Sequence, residues 1–201
     1  MVATVRIRCE ACQRPLTRCL CSFIPSLPHR CPVLVLQHSS EQRHALNTAR
    51  LAVLGLQQAQ LWVGEHFADL PEYLARFERP YVLFPGAQAR TVMQCRAQQH
   101  IPDLLLVPDG TWRKARKLIH QNPVLQDLPR LSLTAREASR YRLRKAPDDQ
   151  SLATIEAIAQ VLSELQPEQD YSALLQPFEQ LIQEQITAMG AQVYQRNYGS
   201  R

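Results

Sequence analysis

Four short apolar runs limit what this chain can fold into: Val33–Leu36, Leu61–Val63, Tyr81–Phe84 and Leu104–Val107. Each is too short for a buried helix and is built of the branched and aromatic residues that suit a buried strand. Between them lie stretches of helical periodicity. Residues 41–54 put Ala45, Leu46, Ala49, Ala52 and Val53 on one face, with Gly55 as the stop. Residues 70–78 and 88–98 also read as helices. Strands alternating with helices predict an α/β fold with a mainly parallel sheet flanked by helices. Further on, Ser139–Arg144 alternates strictly, Tyr141 and Leu143 on one face and Arg140, Arg142 and Arg144 on the other, as on a half-buried strand. Helices are expected from a Ser151 cap to about Leu165, and again near 178–189.

A chain of 201 residues can bury a full core. No apolar run approaches the ~18–20 residues of a membrane span, and the start lacks the apolar stretch of a signal peptide. A cytoplasmic protein is expected, its six cysteines reduced or metal-bound. Residues 1–31 hold five of them and read as a small module, followed by a main domain over 32–195 and a basic tail over 196–201. Charge is uneven. Residues 1–145 carry 21 Lys/Arg against 10 Asp/Glu, whereas 146–195 carry eight acids and no Lys or Arg. Arginine makes up 20 of the 23 cations, and its planar fork suits phosphate. Such a one-sided field suggests an anionic partner, RNA or DNA first.

The strongest metal signal is Cys9-x2-Cys12-x6-Cys19-x-Cys21. Two close thiolate pairs can converge on one tetrahedral Zn2+, and a module this small has too little apolar surface to fold unaided. Arg8, Arg14 and Arg18 would offset the charge of four thiolates. His29 and Cys31 are substitute ligands, and Cys95 is an isolated core residue. Because all four ligands are protein, the zinc would be structural.

The stretch VPDGTWRKARK carries the second signal. A buried strand ending in Pro108-Asp109-Gly110 places Asp109 at the carboxyl end of the sheet, where open α/β folds bind ligands. The helix behind puts Trp112, Ala115, Leu118 and Ile119 on one side, and Arg113, Lys114, Arg116 and Lys117 on the others. Cations in the first turns of a helix oppose its dipole by a few tenths of a kcal/mol each, roughly. Four of them call for an offsetting anion. The residues alone leave two readings open: a capped helix with a solvated face, or a reaction centre beside a nucleic-acid grip. Arg140, Arg142, Arg144 and Lys145 form a second basic surface. His38 and Glu41 follow the first strand and could position a substrate. No G-x-G-x-x-G, P-loop, G-x-S-x-G or H-E-x-x-H pattern occurs, which argues against the chemistries those motifs serve.

Six segments in order make the chain resemble the DTW-domain family: CEACQRPLTRCLC, QHSSEQRHALNTARL, LFPG, PDGTW, SRYRLRK and LATIEA. The D-x-T-W core is Asp109 to Trp112. Ser39 stands where a proline is common in the family, and Ala153 where a serine is common; Thr154 and Glu156 remain. The resemblance implies a tRNA-uridine aminocarboxypropyltransferase, moving the 3-amino-3-carboxypropyl group of S-adenosylmethionine to N3 of a uridine in the variable loop. It also implies a SPOUT-like fold with a carboxy-terminal knot. On that basis Asp109 is expected as general base with Glu156 in reserve. Leu83, Phe84, Pro85, Gly86, Asp109, Gly110, Thr111, Trp112, Ser139 and Tyr141 are expected around S-adenosylmethionine. Arg113, Lys114, Arg116, Lys117, Arg140, Arg142, Arg144 and Lys145 are expected on tRNA phosphates. An RNA methyltransferase and a non-enzymatic zinc-containing RNA-binding or ribosome-assembly protein are the competing classes.

Overall fold

The computed structural model describes residues 7–44, 46–133 and 152–198. The expected strand at 139–144, Lys145, Ser151 and Ala45 lie outside those residues. The described chain runs β1 (Val33–His38), α1 (Thr48–Leu54), β2 (Ala59–Gly64), α2 (Leu70–Leu74), β3 (Pro80–Leu83), α3 (Val92–Ala97) and β4 (Leu104–Asp109). After these come α4 (Trp112–Gln121), β5 (Arg130–Leu131), α5 (Thr154–Leu165), α6 (Gln176–Met189) and α7 (Ala191–Tyr198).

All five strands are parallel, in the order β2-β1-β4-β3-β5. β1 is buried along its whole length because helices cover both faces of the sheet, the condition under which parallel strands read as continuous apolar runs. Successive residues feed opposite cores. Val33, Val35, Leu105 and Val107 join α1, α5 and α6 through Leu51, Ile155, Ile158 and Leu181. Leu34, Leu36, Leu104 and Leu106 meet α2 and α4 through Leu70, Leu74, Leu118 and Ile119. Cys12 and Leu20 of the cysteine segment are buried in the first of these clusters.

The helices that follow the neighbouring strands β1 and β4 leave on opposite faces: α1 packs in one cluster and α4 in the other. The strand order therefore reverses between β1 and β4, and a crevice opens outside their carboxyl ends, the usual ligand site of such a sheet. Gln37 and Asp109 sit there as register partners.

Three expected boundaries move. The helix expected over 41–54 begins at Thr48, because the Asn47 side chain accepts from Arg50 N–H at 3.2 Å and stops the helix from extending backwards. The helix expected over 88–98 is confined to Val92–Ala97 by a Thr91/Gln94 capping box, and the one expected over 70–78 ends at Leu74. β5, two residues long, and α7 were not expected.

Candidate active site and metal centre

Asp109 closes β4, only 9% exposed. One carboxylate oxygen accepts from the Thr154 hydroxyl at the start of α5. The other accepts from Gln37 Nε2 at 2.8 Å. The direction of this network follows from the cap of α1. Asn47 Oδ1 accepts from Arg50 N–H, so Asn47 must turn its Nδ2 toward Gln37 Oε1, at 3.2 Å. Gln37 is then left pointing its own amide hydrogens at Asn47 Oδ1 and Asp109, and only an acceptor fits at position 109. Burial pushes the Asp109 carboxyl above its ordinary value of 3.8, against the pull of the Thr154 and Gln37 donors.

Two cavities adjoin here, and the Asp109 carboxylate belongs to the first of them. A polar one of about 390 Å3 is walled by Glu41, His44, Asn47, Asp109, Lys114 and Thr154. An apolar one of about 380 Å3 lies between the ends of β3, β4 and β5, walled by Leu83, Phe84, Pro85, Trp112, Leu133 and Leu152. Gly110 and Thr154 line both. Gly110 has φ +151°, and a Cβ there would stand 3.0 Å from Lys114 Cβ, so a side chain would strain the turn that separates the two cavities.

Trp112 leaves the inner stripe of α4 expected for it. It is 41% exposed and stands edge-on to Phe84, ring centroids 5.5 Å apart, at the mouth of the apolar cavity. The first turn of α4 overhangs the sheet edge, so helix periodicity does not translate into burial there. Thr111 caps α4, its hydroxyl accepting from Lys114 N–H. Gly86 does not line the apolar cavity; a Cβ there would lie 3.3 Å from Arg130 Cδ, and Arg130 covers the Phe84 ring.

Of the four α4 cations, Lys114 pairs with Glu41 at 2.6 Å and Lys117 with Glu65. Part of the offset expected from an external anion is therefore internal. Arg113 and Arg116 are exposed. Glu156 is buried, and its Oε2 accepts from Ala153 N–H at 2.8 Å as one half of a capping box. Ala153 has no side-chain acceptor to supply the other half. Ser139, Tyr141, Arg140, Arg142, Arg144 and Lys145 lie outside the described residues. Gln37 and Asn47 were missed by the sequence reading, although a glutamine directly after Val33–Leu36 is the kind of polar intrusion into a buried strand that marks a site.

The cysteine segment brings its four Sγ atoms within 4.8 Å of one another. Cys9 and Cys21 are 3.5 Å apart and Cys12 and Cys19 3.8 Å. A tetrahedron with Zn–S bonds of ~2.3 Å has edges of ~3.8 Å, so the set fits that ion. The four thiols differ: the Cys12 backbone N–H, then Cys21, draw Cys9 down to about 6, while burial pushes Cys21 up to about 12. A divalent ion would resolve that by ionising all four. Gln13 follows Cys12 with φ 60°, and its N–H donates to Cys9 O at 2.9 Å, closing the first thiol pair into a tight knuckle. Among the described residues no helix is long and apolar enough to cross a membrane.

The DTW domain profile matches residues 6–186. The chain is 29% identical to tRNA-uridine aminocarboxypropyltransferase 2 of Macaca fascicularis over 94% of its own length, and spans 66% of that relative, just under two thirds. It is 30% identical to the Drosophila melanogaster protein of the same name over 90% of its length, spanning 76% of the relative. It is also 26% identical to tRNA-uridine aminocarboxypropyltransferase A of Arabidopsis thaliana, over 80% of its length and 73% of the relative. No solved structure matches. With the profile spanning nearly the whole chain and its Asp109–Trp112 core set at the switch point of a parallel sheet, this protein belongs to the DTW-domain family.

Proposed function

We propose that this protein is a tRNA-uridine aminocarboxypropyltransferase that takes its group from S-adenosylmethionine and places it on N3 of a uridine. One observation carries the reading: the family's core motif walls two adjoining cavities, one apolar and one polar, and the buried Asp109 carboxylate of the polar one is bonded to Thr154, which lines both. The names of the relatives supply the transferred group and the RNA. The apolar cavity suits the adenosyl part of the donor, with Phe84 and Trp112 offering ring edges. The polar cavity suits a uracil.

The reaction joins N3 to the chain carbon next to the sulfonium, breaks that carbon–sulfur bond and releases methylthioadenosine. The N3 proton must go to a base. The sulfonium is a good leaving group, so the protein's task is chiefly alignment. In this reading Asp109 takes the proton through a lone pair not engaged by Thr154 or Gln37, and those two partners fix its orientation. Glu156 serves α5 as its cap. Arg113 and Arg116, with Lys114, Lys117 and the basic segment at 140–145, attract tRNA phosphate.

Cys9, Cys12, Cys19 and Cys21 would hold a structural zinc, whose chemistry is to fix the fold of the first 31 residues against the domain over 32–195. The carboxy-terminal knot implied by the family resemblance belongs to this reading too. Its support is that the chain leaves β5 at the sheet edge and comes back with Thr154 on Asp109 at the sheet centre.

Incubating the protein with unmodified tRNA and labelled S-adenosylmethionine tests the function. Methylthioadenosine and uridine carrying the extra aminocarboxypropyl mass are expected. Release of S-adenosylhomocysteine instead would assign an RNA methyltransferase, and tight RNA binding without turnover would assign a binding protein. Trp112→Ala is expected to raise the KM for S-adenosylmethionine by about 10-fold, the equivalent of one edge-to-face aromatic contact plus lost apolar area. Its thermal midpoint should stay close to that of the parent, since the ring is half exposed.

A further inference from the structure

A cleft of about 680 Å3 opens between the cysteine segment and the amino end of α1, away from the outer face of α4. Five arginines line it: Arg8, Arg14 and Arg18 from the cysteine segment, Arg43 from the loop after β1, and Arg50 from α1. Arg14 is paired with Glu184 at 2.9 Å, and among the described residues no carboxylate is paired with the other four. Arg8, Arg18 and Arg43 are exposed, and the Nε of Arg50 is shut from solvent with no described acceptor. On α4, by contrast, both lysines are held by carboxylates. Like charges gathered around a concavity focus their potential there, and guanidinium forks match phosphate oxygens. Five of them spread along a cleft suit a row of phosphates better than one small anion. His44 and Asn47 line this cleft and the Asp109 cavity alike, so the two are direct neighbours.

We propose that this cleft holds the phosphodiester backbone of the RNA strand that delivers its uridine to Asp109. The proposal rests on the RNA-substrate reading above and adds a second surface to the α4 cations named there. Three of the five guanidinium groups ride on the four-cysteine segment, which therefore orients the substrate as well as completing the fold.

The test is binding of unmodified tRNA by the full chain across a series of salt concentrations. Arg18→Ala/Arg43→Ala removes two exposed guanidinium groups from the cleft. Arg76→Ala/Arg79→Ala removes the same charge beside the amino end of β3, at the opposite end of the sheet. Each phosphate contact contributes ~0.7–0.9 to the slope of log K against log salt, so the cleft variant should lose about 1.5 from the slope and bind roughly 10-fold more weakly. S-adenosylmethionine affinity, read by calorimetry, should not change. Arg18→Lys/Arg43→Lys should recover most of the binding, which also guards against misfolding as the cause. Equal losses in the cleft variant and the control, or no loss in the cleft variant, would overturn the proposal alone. No salt-dependent tRNA binding by the unsubstituted chain would overturn the RNA reading and this proposal together.

Discussion

Asp109→Asn is expected to lower kcat by roughly 10²–10⁴, the usual loss when a positioned general base is removed, while leaving the KM for S-adenosylmethionine within about threefold. The replacement is nearly isosteric and can still accept from Thr154. Its amide, however, would face Gln37 Nε2, donor against donor, and Gln37 cannot turn over without losing its match to Asn47, which the cap of α1 holds in place. Two pH signatures separate a base from a purely positional carboxylate. In the parent, the rate should rise with pH through the raised titration of Asp109; in the variant it should follow only the alkaline ionisation of the uracil. Stability gives the second. Because burial raises this carboxyl above 3.8, the folded state binds its proton more tightly than the unfolded chain. That contribution is full below about 4 and is lost as pH rises through the folded value. Asp109→Asn should flatten this part of the stability curve. A variant that keeps full kcat would remove Asp109 from the chemistry.

Cys9→Ser is expected to release the metal and lower the thermal midpoint by about 10 °C, from a loss of ~3–5 kcal/mol at ~2–4 °C per kcal/mol for a chain of this size. The effect should reach beyond the first 31 residues, because Cys12 and Leu20 lie in the same apolar cluster as Leu181, Ile155 and Leu105. The parent should carry one zinc per chain by elemental analysis. A chelator should reproduce the midpoint shift, and falling pH should release the ion as protons compete for the thiolates. Cys95→Ala is the comparison: its thiol is buried outside the four-cysteine set, so metal content should hold even if stability drops. Metal-free protein with an unchanged midpoint would reduce the four thiols to ordinary side chains.

The parallel sheet was legible because strands covered on both faces need unbroken apolar runs, and Val33–Leu36 and Leu104–Val107 supply them. Asp109 could be placed at the carboxyl edge because Pro108 and Gly110 bracket it where such a run ends. Strand order was not legible, since it depends on which helix crosses which face. The grip on Asp109 was hidden for a related reason: Thr154 is 45 residues away along the chain and Gln37 is 72, and no local pattern registers a contact that long. Helical periodicity also misled where backbone capping outweighed it. It ran the first helix back through residues that Asn47 excludes, and it set Trp112 inside when the end of α4 projects past the sheet. β5 escaped because two residues carry no period.

Gly110 and Thr154 form a wall common to both cavities, and this has a thermodynamic meaning. On the reading proposed above, donor and RNA would touch the same wall, and any factor by which donor changes RNA affinity must equal the factor by which RNA changes donor affinity. The Thr154 hydroxyl, held on Asp109, ties that wall to the carboxylate. Coupling between the two guests would then run through one hydrogen bond between the end of β4 and the start of α5.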